Sequence, residues 1–233
     1  MHLIKVGGGA EINLSGIVAD LAELDTPFVV VLGANALRDE IGQKLGLEKQ
    51  ELTSVSGYKS VYSDESAIDL IMMTYAGLRN RRFVELCQRH GINAVGLTGL
   101  DGRMVQGQRN RGIRVREGGK TLLKHDFSGK PKSANTDLLR LLLEQGYRPV
   151  LSIPIVDEQG FAINSENDDI VNVLQKSLHA EKILQLIEAP GFLDQRDDPE
   201  SVVRQMTQHE LEARENQVED RMKRKMLALR RLF

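Results

Sequence analysis

A chain of 233 residues, 41% of them hydrophobic, is long enough to bury a substantial core without disulfide or metal support. Its 31 lysines and arginines nearly balance 33 aspartates and glutamates, a formal charge of −2, so no global basic field marks it for nucleic acid or membrane. The single cysteine, Cys87, cannot close an internal disulfide, the five histidines are dispersed with no metal-ligand spacing, and no run approaches a membrane span.

The chain opens on Leu3 to Val6, an apolar strand-like stretch rather than a secretory signal, and a cytoplasmic protein is expected. The strand runs into Gly7-Gly8-Gly9, and Leu14, Ile17, Val18, Leu21 and Leu24 then follow helical spacing. Phe28 to Leu32 is a second apolar strand, closed by Gly33-Ala34-Asn35 before another helical pattern. Ile92 to Leu97 reads as a third strand. Ile113 and Val115, then Leu122 and Leu123 around Gly118-Gly119, read as a hairpin. A helix follows over Leu138, Leu139, Leu142 and Leu143, then a strand over Pro149 to Ile153. Ile155-Val156 and Phe161 to Ile163 suggest a second hairpin across Asp157 to Gly160. Ile170, Val171, Leu174 and Leu178 are helically spaced, and Ile183 to Ile187 is a further strand. Strands alternating with amphipathic helices predict an α/β fold, a mainly parallel central sheet between helical layers with inserted β-hairpins. No segment reads as a linker, so one unit with two lobes is expected.

Four constellations carry candidate chemistry. Lys5-Val6-Gly7-Gly8-Gly9 ends a strand in glycines ahead of a helix, so backbone amides can approach an anion closely; the alternative is a plain strand-to-helix turn. It is not a dinucleotide fingerprint, because Ile12 stands where a small residue is needed. Leu32-Gly33-Ala34-Asn35 repeats the architecture, and both turns should lie at the carboxyl ends of their strands, where ligands collect in open sheets. Asn164-Ser-Glu-Asn-Asp168 precedes a helix and offers a polar substrate contact and an acid that could orient cations, or simply helix caps. Arg221-Met-Lys-Arg-Lys225 places cations at the start of a C-terminal helical segment, against the helix dipole; it is a functional cluster or a solvated face. Gly118-Gly119-Lys120-Thr121 is not a phosphate loop, since the upstream glycine position holds Arg114 and no helix follows.

Arg103 to Lys132 carries nine lysines and arginines against Glu117 and Asp126, a net of +7. Such segregation suits docking of an acidic partner near Arg109, Arg111, Arg114 and Arg116, or a solvated hairpin face.

Taken in order, Lys5-x-Gly7-Gly8, the turn at 33 to 34, Val95-Gly-Leu-Thr-Gly-Leu-Asp-Gly102, Asn164-x-x-x-Asp168, Ala189-Pro190-Gly191 and Met222-Lys-Arg-Lys225 resemble the amino acid kinase family in its acetylglutamate kinase branch. Ser56-Gly57, Tyr62-Ser63-Asp64 and Gly99-Leu-Asp-Gly-Arg103 are similar to the subgroup whose aminoadipate or glutamate is held by its amino group on a small acidic carrier protein. The resemblance implies a three-layer α/β/α fold, with an acceptor lobe over about residues 1–150 and a nucleotide lobe over 151–233. A homodimer is expected because dimers are the common soluble assembly, and the resemblance implies ATP with Mg²⁺ and phosphorylation of a side-chain carboxylate to an acyl phosphate. Lys5 and Lys225 would contact phosphoryl oxygens from opposite sides, with Asp168 holding both ammonium groups. Gly7, Gly8, Gly33 and Ala34 would donate amides, Asn35 and Lys59 would border the phosphates and substrate, and Asn164 would bind the substrate's α-side.

The chain also departs from the family pattern. Leu32-Gly33-Ala34 replaces His-Gly-Gly, Val61 replaces an arginine with Lys59 two residues earlier, and Asp220 replaces a glycine beside the basic cluster. The family's final strand and helix are not matched before Phe233. Free N-acetylglutamate as acceptor, or a non-catalytic nucleotide-binding regulator, are the alternative readings.

Overall fold

The computed structural model describes residues 1–47, 49–53, 55, 59–195, 198, 200–215 and 230. The basic cluster from Arg221 to Lys225, Asp220, Ser56-Gly57 and the side chains of Lys59 and Val61 lie outside the described part.

Strand β1 (His2–Val6) leads through the first glycine turn to α1 (Leu14–Ala22), and β2 (Phe28–Leu32) through the second to α2 (Asn35–Leu45). A short hairpin, β3 (Glu51–Thr53) and β4 (Lys59–Val61), precedes a long helical passage: α3 (Glu65–Ile71), a π-helical stretch Met72–Arg79, and α4 (Asn80–Arg89). Then come β5 (Ala94–Gly99), β6 (Val105–Arg109), the hairpin β7 (Ile113–Glu117) and β8 (Lys120–Lys124), and β9 (Gly129–Ala134). Helix α5 (Thr136–Glu144), β10 (Arg148–Val156), β11 (Ala162–Ile163), α6 (Asn167–Leu178), β12 (Lys182–Leu186) and α7 (Gln208–Glu215) complete the described elements.

The main sheet runs β12-β1-β2-β10-β6-β9, with β5 and β11 also registered on β10. The pairs β1–β12, β1–β2, β2–β10, β5–β10 and β6–β10 are parallel, while β6–β9 and β10–β11 are antiparallel. Side chains alternate across a strand, and here that alternation divides the core in two. Leu3, Val29, Val31 and Leu151 pack with Ile68 and Ile71 of α3, Leu139 of α5, and Ile170, Val171 and Leu174 of α6. Ile4, Val6, Val30, Leu32 and Val150 pack on the other face with Val18 and Leu21 of α1 and Phe83 and Cys87 of α4. β1 and β2 are buried along their whole length, which is why they read as continuous apolar runs. The result is the expected three-layer α/β/α arrangement.

Both predicted hairpins form. Gly118 and Gly119 turn β7 into β8 with φ of 56° and 77°, a mirror-image turn that glycine adopts without strain. Asp157 closes the other, its Oδ1 accepting from the amides of Gln159 and Phe161 at 2.9 and 2.8 Å.

Candidate active site

The parity of β1 decides where Lys5 goes. Leu3 faces the α6 layer, so Lys5, two residues on, faces it too. Its ammonium donates to Oδ1 of Asp168 in the first turn of α6, and both side chains are largely buried. Helix α6 is not capped by the Asx residues ahead of it: its cap position is Glu166, whose side chain makes no cap bond. Asp168 is therefore committed to the lysine rather than to the helix end.

The two glycine turns lie back to back beside this pair. A β-carbon on Gly8 would stand 2.4 Å from the Asn35 nitrogen and 2.5 Å from the Ala34 nitrogen, and one on Gly33 would stand 2.7 Å from the Gly8 nitrogen. Only bare backbone fits there. Ala36 N–H donates to the Gly8 carbonyl at 2.8 Å and fastens one turn to the other. Gly7 N–H donates to the Leu186 carbonyl at 2.9 Å and Gly33 N–H to the Val6 carbonyl at 2.8 Å, so these two amides are engaged within the protein. The role expected of Gly7 and Gly33 as amide donors thus becomes a steric one, and Gly8 makes no such bond among the described residues.

The departures at the second turn are explained by the same geometry. Leu32 projects into the α1–α4 layer, on the face of the sheet opposite Lys5 and Asp168. Ala34 has φ −148°, accessible to any L-residue, and its methyl group is fully buried. Asn35 opens α2, and its Oδ1 accepts from the hydroxyl of Tyr75 in the π-helical stretch. Tyr75 is almost wholly buried, and that burial pushes its pKa up to about 12; Glu166 and Asp39 add to the rise, while Arg38 and the Ala34 amide oppose it. One turn further on, burial pulls the Arg79 guanidinium down from its ordinary value.

Sequence reasoning missed two supports of this site. Glu188, just before Ala189-Pro190-Gly191, presses its carboxylate against Gly9, where a β-carbon would lie 2.0 Å from the carboxyl carbon. Its Oε1 accepts from Glu11 N–H at 2.9 Å, tying the first turn to the chain beyond β12. A lone acid in a turn carries no periodic signal. The second support surrounds Asn164, which donates from Nδ2 to Ser63 Oγ at 3.2 Å. Ser63 N–H donates to Asp126 Oδ1 at 3.0 Å, and the Ser128 hydroxyl donates to the other carboxylate oxygen. The backbone closes the frame: Phe127 N–H donates to the Ser63 carbonyl and Asn164 N–H to the Phe127 carbonyl, each at 2.7 Å. Ser63, Asp126 and Asn164 come from three distant segments, which only the tertiary fold joins.

Arg109 is drawn into this frame, donating from Nε to the Asp126 carbonyl at 3.0 Å with its guanidinium 3.9 Å from the centre of the Phe127 ring. Arg111, Arg114 and Arg116 stay exposed. Lys59 lies on β4, opposite Thr53 of β3 in a separate two-stranded sheet, and Lys225 lies outside the described residues.

A buried lysine–carboxylate pair beside two closely packed glycine turns at the carboxyl ends of parallel strands is suited to an anionic, phosphoryl-bearing ligand. The donor chemistry fits the phosphates of a nucleotide, because the Lys5 ammonium and the backbone amide of Gly8 lie at one end of the sheet. Comparison with known proteins agrees. The family model described as "Amino acid kinase family" matches residues 2–232. A LysW-aminoadipate kinase from Deinococcus radiodurans is 37% identical over 97% of this chain and 79% of its own. An acetylglutamate kinase from Methanopyrus kandleri is 30% identical over 91% and 81%. Among solved structures, N-acetylglutamate synthase from Neisseria gonorrhoeae superposes with a TM-score of 0.75 at 17% identity, covering 99% of this chain and 51% of that one, a likeness of fold. The chain belongs to the amino acid kinase family. It is an ATP-using phosphotransferase.

Proposed function

We propose that this kinase transfers the γ-phosphoryl group of ATP to the side-chain carboxylate of aminoadipate or glutamate whose amino group is held on an acidic carrier protein. The Lys5–Asp168 pair against the glycine turns carries the reading, and the 37% identity to a LysW-aminoadipate kinase supports the carrier-linked acceptor.

A carboxylate oxygen attacks the γ-phosphorus in line, a new P–O bond forms, the bond to the bridging oxygen of ADP breaks, and an acyl phosphate leaves with ADP. Two anions must approach, so the catalyst's task is charge. Lys5 neutralises the transferring group, and Asp168 fixes the ammonium's position. Lys225 is assigned the opposite side of the phosphoryl group. The Gly8 amide donates to phosphate oxygen, while Gly7 and Gly33, whose amides are engaged within the protein, let the backbone pack closely around it; Ala34 and Asn35 line the same turn. Asn164, oriented by Ser63, takes the substrate's α-side, and Lys59 stands in for the arginine replaced by Val61. Mg²⁺ arriving with ATP would offset phosphate charge.

In this reading residues 1–150 form the acceptor lobe and 151–233 the nucleotide lobe of a cytoplasmic homodimer. Arg111, Arg114 and Arg116, with Arg109 behind them, attract the acidic carrier, an effect on association rate and salt dependence above all. Free N-acetylglutamate is the second reading, favoured by the Methanopyrus kandleri relative. A hydroxylamine trap decides between them. Acyl phosphate formed from ATP, Mg²⁺ and carrier-bound aminoadipate or glutamate, but not from N-acetylglutamate, is the expected result. Turnover with N-acetylglutamate alone would transfer the assignment to the second reading.

A further inference from the structure

Along the flank of α6 that faces β9, a cavity of about 400 Å³ runs from Asp169 in the first turn to Lys176. Its lining includes Lys130 and Lys132 of β9 and Asp169, Asn172 and Lys176 of α6. The arrangement follows from the local geometry of both elements. Lys130 and Lys132 are exposed on either side of the buried Pro131, at a register shift in β9, while 169, 172 and 176 fall on one stripe of the helix, leaving Ile170, Val171 and Leu174 for the core. Three ammonium groups are thereby brought to one opening that holds a single acid, and none of the three lysines makes an ion pair among the described residues. Three like charges facing one acid repel one another on balance, a cost that an anion between them lowers.

Asn172 supplies the independent observation. It is only 6% exposed, it lines the cavity, and neither its Oδ1 nor its Nδ2 has a hydrogen-bond partner among the described residues. A buried carboxamide with both ends unmet is rare in folded proteins, because each unmet group forfeits its hydration. The phosphoryl-transfer reading uses neither this asparagine nor the three lysines.

We propose that the cleft between α6 and β9 binds a small anion bearing two or more oxyanion groups, with Asn172 donating to one oxygen and Lys130, Lys132 and Lys176 balancing the charge. The shared chemistry is multiple anionic oxygen, which phosphate and polycarboxylates both offer, and a cavity of this size admits molecules larger than phosphate.

Equilibrium dialysis of the full chain with inorganic phosphate and, separately, with citrate tests this. Four forms are compared: the natural sequence, Lys5→Ala, Lys132→Gln/Lys176→Gln and Asn172→Leu. One saturable site is expected for at least one probe; it should persist in Lys5→Ala and weaken by about tenfold or more in the double lysine variant and in Asn172→Leu. The probe that binds more tightly identifies the ligand as phosphate-like or carboxylate-like. Because both substituted lysines are exposed, the double variant should keep the parent's melting temperature, which makes loss of binding interpretable. The proposal is overturned if neither probe binds saturably, or if binding disappears in Lys5→Ala and survives in the double variant. Acyl-phosphate formation is measured apart from this, so either claim can fail alone.

Discussion

Lys5 and Asp168 stand 163 positions apart in sequence and share one hydrogen bond, joining the second-last residue of β1 to the first turn of α6. The lysine is almost buried, so its charge is fixed in a direction as well as neutralised at rest. Replacing it should reveal how much of the rate depends on that preset charge. Lys5→Ala is expected to slow phosphoryl transfer by about 10²–10³, as for other preorganised charge contacts. Asp168→Asn should slow it by less, since the ammonium remains but loses its anchor. Single-turnover rates, with ATP affinity measured separately, check both; a near-normal rate in Lys5→Ala would remove this lysine from the mechanism.

Gly8→Ala inserts a methyl group against backbone nitrogen atoms at 2.4 and 2.5 Å, which cannot swing aside as a flexible side chain would. A loss of about 1–3 kcal/mol in stability is expected from the forced shift of the two turns. ATP affinity should fall with it. Thermal melts and nucleotide titration on the same preparation read both effects.

Tyr75 gives a pH prediction with a definite sign. Its phenol has an ordinary pKa of 10.0 in the unfolded chain and about 12 when folded, because burial disfavours the phenolate. The unfolded state therefore releases this proton first. The stabilising contribution is whole below pH 10 and is lost progressively as pH rises from 10 towards 12. Tyr75→Phe should flatten that part of the stability curve and, by leaving Asn35 without its donor, cost about 1 kcal/mol at neutral pH. Urea melts of both proteins across the alkaline range test this, and equal slopes would contradict it.

Cys87 is fully buried in the α4 layer, and burial pushes its thiol up from 9.0 to about 12. It should not react with an aromatic disulfide reagent while the protein is folded, and should react stoichiometrically in denaturant. With one cysteine in the chain, the reaction is a direct clock of unfolding. Rapid labelling of native protein would show that α4 opens on its own.

Asp126→Ala removes the acceptor for the Ser63 amide and the Ser128 hydroxyl at a site only 2% exposed. A stability loss of about 1–3 kcal/mol is expected from the buried donors left unmet. Through Ser63 and Asn164 it should raise KM for the acceptor more than KM for ATP. Steady-state kinetics varying each substrate in turn distinguishes the two.

The layers of this fold were legible because burial on both faces writes itself into Phe28 to Leu32 as an unbroken apolar run, and one-sided burial writes itself into α1, α5 and α6 as a stripe. The predicted strand at 149 to 153 is longer in fact, running from Arg148 to Val156 straight into its hairpin, because Pro154 reads as a stop where the chain continues. The passage from Glu65 to Arg89 gave no reading at all. Its π-helical turn shifts the periodicity midway, so no single spacing of apolar residues persists. Lys5, Gly8 and Asp168 could be singled out from their positions at strand and helix ends. The roles of Tyr75, Ser63, Asp126 and Glu188 could not, since each depends on contact with a residue far away in the chain.

Gly8 and Gly33 occupy each other's missing side chain. The volume that a β-carbon on one would fill is already held by the backbone of the other, so the two positions are a single constraint with two addresses. Enlarging one cannot be relieved by trimming its neighbour, because glycine has nothing left to trim. Ala34, adjacent to this contact, points its methyl group into the core and is released from the constraint. Side chains flanking the turns, such as those of Leu32 and Ala34, are free of this contact, while 8 and 33 can only stay as they are or change together with the path of both turns.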